Sequence, residues 1–455
     1  MVFGYDYELV PSQQNLSWTA FSNELRFNYT VPSERFVLGR ECYIMLKVRI
    51  IYTDNSGNSK TLGDLPTANS AFLSKNPVLC FFKSVQLNIN DVCITRNIQD
   101  ISSVNTLWRS CFDSALQITS SESSNMILPQ SITQTATTYG GQNQYLFNKY
   151  SQQMEMICPI PLPAFQTNDP IPPHSKIQLV FMVDPSFAQN LIQFVTPATA
   201  LKVGALDSQG NNPNGNSSIG VGVADMQLWM YKAHDYELQR VQHSIRMKQF
   251  YSQVVNLNGS SGSSNYNIPV PSGKSLSHIM FAFITPAINT VGGTATTYYY
   301  PTDFSSNTLT GTAPNAYLTN SGTDAISSLY SFQCQYAGRL YPNPQYTSIN
   351  MNVGVSSTET GDTTRMFMDF INNCGTGHVD RAGALYNLFN WYAEPILCFK
   401  TITEPTTSAD NIIVMLNFKT GYDGKSRLLM VCLYEETLKL NYNENGVIEN
   451  LSIEN

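Results

Sequence analysis

The sequence predicts an all-β protein of two consecutive sandwich domains, and three observations carry that reading. Charged residues make up 13% of the chain, against about 25% in an ordinary globular protein, while Tyr, Phe, Asn, Ser and Thr abound. Helix surfaces are covered by Lys, Glu and Arg, whereas strands and turns use the residues that this chain favours. Short runs of alternating or β-branched residues recur in both halves. Finally, 455 residues exceed the roughly 250–300 that one hydrophobic core holds.

In the first half the strand signals are "LRFNYTV" (25 to 31), "CYIMLKVRIIY" (42 to 52), "SVQLNIN" (84 to 90), "QMEMICPI" (153 to 160), "KIQLVFMVD" (176 to 184) and "MQLWMYKA" (226 to 233). In the second they are "QFYSQVVNL" (249 to 257), "HIMFAFIT" (278 to 285), "LYSFQCQY" (329 to 336), "PILCFKTI" (395 to 402), "NIIVMLNF" (411 to 418) and "RLLMVCLYEE" (427 to 436). Three segments read as helices. Residues 100 to 117 place Val104, Leu107, Trp108, Cys111 and Leu116 on one stripe, with Asp100 or Ser102 as N-cap. Residues 362 to 374 align Met366, Phe367 and Phe370 after Asp362, and residues 380 to 392 align Leu385, Leu388 and Phe389 after Asp380. The halves correspond: "VQLNINDVCIT" and "FQCQYAGRLYP" each precede an amphipathic helix, which suggests a structural duplication without sequence identity.

Long polar loops span 118 to 152, 199 to 222 and 286 to 326. Loops beyond about 15 residues are rare in compact domains unless functional or disordered. Disordered segments avoid aromatic residues, and the third loop carries Tyr298, Tyr299, Tyr300, Phe304 and Tyr317. These rings are expected on ordered projections that pack against neighbouring subunits.

Several function classes fall away. A formal net charge of −7 without Lys or Arg runs is unlike a nucleic-acid binder. No stretch approaches 18 consecutive apolar residues, and the N-terminus "MVFGYDYELVPSQQ" lacks the basic and apolar regions of a signal peptide. The chain is therefore expected not to be secreted and to have no transmembrane segment. Nine cysteines without a C-x-x-C read as reduced core residues, and the five histidines are dispersed. His378 lies two residues from Asp380, but capping by Asp380 is the simpler role, so neither metal nor cofactor is expected.

"GYDGKS" (421 to 426) ends like a phosphate loop, yet Lys419 stands where its first glycine belongs and a strand follows, which makes it a hairpin turn. "GVGVAD" (220 to 225) leads into a strand and offers no helix N-terminus to a pyrophosphate. Glu435 and Glu436, adjacent on a strand, point to opposite faces and cannot share a substrate. The stretch "QCQYAGRLYPNPQYTS" (333 to 348) reads as a strand bent at Gly338 and ended by Pro342 and Pro344. No companion base or nucleophile accompanies Arg339, so its fork of donors suits an architectural contact between domains or subunits.

Two strand-rich halves, each with a helix after a central strand, resemble a double-jelly-roll major capsid protein. The resemblance to those of polinton-like viruses and virophages rests on "SVQLNINDVCIT" and its helix, on "YAGRLYPNP", and on the closing run "ILCFKTI…NIIVMLNF…RLLMVCLYEETLKLN". It implies two eight-stranded jelly rolls: residues 21–234 and 235–440, flanked by an N-terminal arm (1–20) and a C-terminal tail (441–455). It also implies a homotrimer forming a pseudo-hexameric capsomer of an icosahedral virion shell, made in the host cell. Implied partners are neighbouring capsomers, a penton protein and minor capsid or cement proteins. The lack of a catalytic constellation and of a basic N-terminal arm leads separately to the expectation of no enzymatic activity and no direct nucleic-acid binding. The competing readings are a two-domain β-sandwich carbohydrate-binding protein or glycosidase, and a viral spike or fibre. The first needs surface tryptophans, whereas Trp108, Trp229 and Trp391 lie in periodic apolar patterns; the second needs a shaft repeat, and none is present.

Overall fold

The computed structural model describes residues 5–14, 16, 23–65, 71–95, 100–112, 152–166, 169–194, 201–234, 244–259, 261–289, 296–305, 309–310, 319–320, 323–351, 361–374, 391–392, 394–401, 410–442 and 448–454. The first roll contains β1 (Tyr5–Pro11), β2 (Glu24–Thr30), β3 (Tyr43–Thr53), β4 (Phe82–Ile89), β5 (Val92–Cys93), β6 (Gln153–Pro159), β7 (Lys176–Val183) and β8 (Ser218–Ala233). The second contains β9 (Ser244–Asn256), β10 (Gly262–Pro269), β11 (Leu276–Ile284), β12 (Leu329–Tyr336), β13 (Arg339–Tyr346), β14 (Ile396–Lys400), β15 (Asn411–Phe418) and β16 (Arg427–Tyr442).

In the first roll, β1, β8, β3 and β6 lie side by side, facing a four-stranded sheet ordered β2-β7-β4-β5. In the second, β9, β16, β11 and β14 face a sheet ordered β10-β15-β12-β13. Adding eight to each label of the first roll yields the second. The protein is thus an all-β double jelly roll, and the duplication expected from the sequence is present as shared topology.

Alternation makes these strands. In β3 the even positions Ile44, Leu46, Val48 and Ile50 are buried, while Tyr43, Met45, Lys47 and Arg49 point away from the core. In β15 Ile412, Val414, Leu416 and Phe418 do the same. In the second roll the inner faces meet where Phe332 packs against Phe281 and Phe399 of the opposite sheet, while in the first Phe27 and Phe82 pack against Phe181 along one inner face.

Both fourth-to-fifth strand connections are two-residue hairpins with two left-handed residues: Asn90 and Asp91 (φ 47° and 65°), and Ala337 and Gly338 (φ 49° and 74°). That is the type I′ turn, whose twist matches the flanking strands. Each hairpin is followed by a helix, α1 (Ile101–Phe112) and α2 (Thr363–Asn373). Asp362 precedes α2, but its carboxylate accepts from Thr347 N at 2.7 Å and makes no cap hydrogen bond to the helix. The third expected helix, 380 to 392, lies outside the described residues except at 391–392.

Four expectations need correction. Residues 5–11, assigned to an arm, pair with β8 from Tyr5↔Ala233 to Pro11↔Gln227, because Tyr5, Tyr7 and Leu9 share one face of a regular strand. Ile448–Glu454, assigned to a tail, pairs with β16. The loop 199 to 222 holds a strand, Lys202–Ala205, and the start of β8. Pro342 and Pro344 do not end a strand: they lie within β13, an edge strand whose register against β12 shifts between Phe332 and Cys334. A bulged edge tolerates the missing N–H donors, and Gln333 Nε2 donates to Pro342 O at 2.9 Å.

Candidate functional site

The two rolls present the same sheet face to different surroundings. On the second roll, the middle of the outward face of β9, β11, β14 and β16, with Phe250, Met280, Cys398 and Val431, is buried. Helix α1 of the first roll lies there: Trp108 meets the Phe250 ring edge-on at 5.3 Å, and Phe112 meets His278 at 5.1 Å. Burial lowers the His278 pKa, since the charged imidazolium loses its hydration.

Polar links complete this contact. Lys75 forms an ion pair with the fully buried Glu394, Gln249 Nε2 donates to Ile94 O at 3.0 Å, and Arg246 N donates to Asp169 Oδ2 at 3.0 Å. Cys111 at the end of α1, Cys374 just after α2 and Cys398 on β14 also converge here. All nine cysteines are free thiols, as expected from the sequence, although Cys93 is exposed and Cys374 half-buried.

The corresponding face of the first roll is open. Along β1, β8, β3 and β6 it carries Leu9, Trp229, Tyr43 and Pro159 in one row, then Pro11, Gln227, Met45 and Ile157 in the next. Tyr43 stacks on Trp229 at 6.0 Å, and Tyr7 meets Tyr43 and Tyr231 edge-on at 5.6 and 5.0 Å. Tyr5 is 67% exposed, Tyr7 and Leu9 44% each, and Ile157 37%. Solvent-exposed rings and aliphatic side chains gathered on one rigid sheet mark an association surface. Trp229, expected in the core, belongs to this outer face; alternation in β8 puts Leu228 and Met230 inside instead.

The tyrosine-rich loop behaves differently from expectation. Tyr300 and Phe304 are buried within the chain, so they leave the set of interface candidates. Tyr298 is half-buried and donates its hydroxyl to Asn190 Oδ1 of the first roll. Tyr299 lies under the Arg427 guanidinium at 3.7 Å and donates to Lys425 O at 2.6 Å. These rings gain more from their own chain's surface than from projecting into solvent. Tyr317 lies outside the described residues. Arg339 is exposed at the start of β13, opposite Tyr336.

The rejected motifs take the places assigned to them. "GYDGKS" lies between β15 and β16 with Gly421 and Gly424 at positive φ, and "GVGVAD" lies inside β8. Glu436 is buried against Lys274 at 2.7 Å while Glu435 faces solvent. His378 and Asp380 are outside the described residues, and among those described no helix is long and apolar enough to cross a membrane.

No family model and no curated protein matches the sequence. Solved structures do. A chain of the Sputnik virophage structure superposes with a TM-score of 0.59 at 11% identity, covering 100% of this chain and 88% of that one. A chain of the PBCV-1 virus capsid gives 0.53 at 11% identity, covering 99% and 97%. PBCV-1 VP54, fitted into a reconstruction of the virophage Sputnik, gives 0.52 at 12% identity, covering 99% and 97%. At such identities the likeness is one of fold, and it extends over both rolls.

Proposed function

We propose that the chain is a major capsid protein, a structural subunit that trimerises into pseudo-hexameric capsomers of an icosahedral virion shell. One observation carries the reading: the outer sheet face of the second roll is covered by the first roll of the same chain, while its counterpart on the first roll is open and aromatic. A second copy, presenting its second roll to that face, extends the pattern. The contact is heterologous, so it closes only as a ring. Three chains of two rolls give six equivalent positions. The likeness to a PBCV-1 virus capsid chain supports the same role, and the separation of Glu435 from Glu436 withdraws support from a glycosidase.

Light scattering on the purified chain is expected to return three times its 50.7 kDa mass. A monomer at micromolar concentration would count against the proposal. Neighbouring capsomers, a penton protein, minor capsid or cement proteins, and synthesis in the host cell without secretion belong to this reading. The chain itself is assigned no catalysis and no genome condensation. Arg339, exposed on an edge strand, and the partly open Tyr298 and Tyr299 remain proposed contacts between copies. Arg339→Ala is expected to weaken assembly with an unchanged thermal midpoint, and normal particle yield would remove it from the interface.

A further inference from the structure

The three thiols gathered where α1 meets the second roll have a chemistry that packing alone does not require. Their sulfur atoms all lie within 4.8 Å of one another. They come from separate segments: Cys111 ends α1, Cys374 follows α2, and Cys398 lies on β14. Cys111 and Cys398 are buried and Cys374 is half-buried, so the cluster is largely removed from bulk water. Cys398 Sγ also lies 3.7 Å from Asn373 O, which fixes its direction at the helix end.

Tetrahedral zinc with Zn–S bonds of about 2.3 Å holds its sulfurs about 3.8 Å apart. The cluster therefore reaches that geometry by side-chain adjustment, without moving a strand. His278 stands diagonal to Cys398: His278 is opposite Lys400, and Met280 opposite Cys398, on the same outer face. Its ring meets Phe112 edge-on and its Nδ1 lies 3.2 Å from Ser277 Oγ, so it stands beside the cluster without joining the three sulfurs.

We propose that Cys111, Cys374 and Cys398 form a three-thiolate site for zinc, with water in the fourth position, clamping α1 of the first roll onto the sheet of the second. On binding, each thiol releases its proton to solvent and donates a sulfur lone pair to the ion; no electron is transferred. Soft sulfur ligands select zinc over magnesium or calcium. The site is independent of the proposed assembly, because all three thiols belong to one chain.

The test uses the full-length chain, stripped with chelator under reducing conditions and titrated with Co²⁺ as a spectroscopic stand-in for Zn²⁺. One equivalent of Co²⁺ is expected to give thiolate-to-cobalt charge-transfer absorption and tetrahedral d–d bands, and Zn²⁺ to bleach them. Cys398→Ser is expected to lose at least 100-fold in affinity. Zn²⁺ is expected to raise the thermal midpoint of the unaltered chain and not that of Cys398→Ser, a readout that holds even if the variant is less stable. Absence of thiolate–cobalt absorption, or a disulfide among the three cysteines in protein isolated without reductant, would overturn the site.

Discussion

Tyr7→Lys combined with Leu9→Lys is expected to leave a folded monomer that no longer forms a ring. Both side chains are 44% exposed on the outer face of β1, so the isolated roll loses little by their removal. The internal cost is confined to the Tyr7 contacts with Tyr43 and Tyr231, about 0.5–1.5 kcal/mol each. At an interface the balance reverses. Central aromatic anchors cost about 2 kcal/mol or more when truncated, and each lysine adds the desolvation of a charge without a designed partner. A loss of about 4 kcal/mol per contact weakens each by about a thousandfold, and a closed trimer uses the contact three times. Light scattering should show the monomer mass, with circular dichroism and the thermal midpoint close to the unaltered chain. A trimer persisting at the same concentration would exclude this face as the assembly surface.

The second large effect concerns the ion pair that joins the rolls. Glu394 is fully buried and Lys75 nearly so. Lys75→Met leaves a carboxylate without its charge partner in a low-dielectric contact, which costs about 3–5 kcal/mol. Chemical denaturation should show a lower midpoint for Lys75→Met, and the double variant Lys75→Met with Glu394→Leu should recover most of the loss, because a buried pair replaced by apolar groups is often neutral. A double variant as unstable as the single one would mean that Glu394 stabilises the junction through contacts other than Lys75.

Much of this architecture is legible in the chain because jelly-roll strands obey a period of two. Ile44, Leu46, Val48 and Ile50, or Ile412, Val414, Leu416 and Phe418, declare their inner face without any knowledge of partners. The paired hairpins are not legible in this way: 333 to 348 reads as one strand bent at Gly338, because a two-residue turn and a bend both show in sequence as a glycine interrupting a run. The same alternation misled where burial is decided elsewhere. Tyr5, Tyr7 and Leu9 alternate with Asp6 and Glu8, and a strand with so polar a second face reads as an arm until β8 is placed beside it. Trp229 alternates with core residues, but which side is the core depends on the sheet that covers it.

Pro342 and Pro344 forbid a central strand and permit an edge, and edges are a property of sheet order. Loop tyrosines were misassigned because composition says that rings will be buried and not against what. Phe304 and Tyr300 are buried within the chain, and Tyr300 packs against Tyr298, which hydrogen-bonds Asn190 of the other roll. The three cysteines are separated by hundreds of positions in part, so no spacing rule could gather them; only the docking of α1 does.

The pairing of β1 with β8 has a consequence for how the chain is made. The first roll cannot close until residue 233 has emerged, and the sheet that covers α1 is incomplete until β16 ends at residue 442. At about 5–20 residues per second, synthesis of the intervening stretch takes about 10–40 seconds. During that interval Trp108 and Phe112 wait beside a finished roll with nothing laid over them. The nascent chain therefore offers a sticky half-product to the ribosome's surroundings, and chaperone attention during translation of the second roll is the expected remedy.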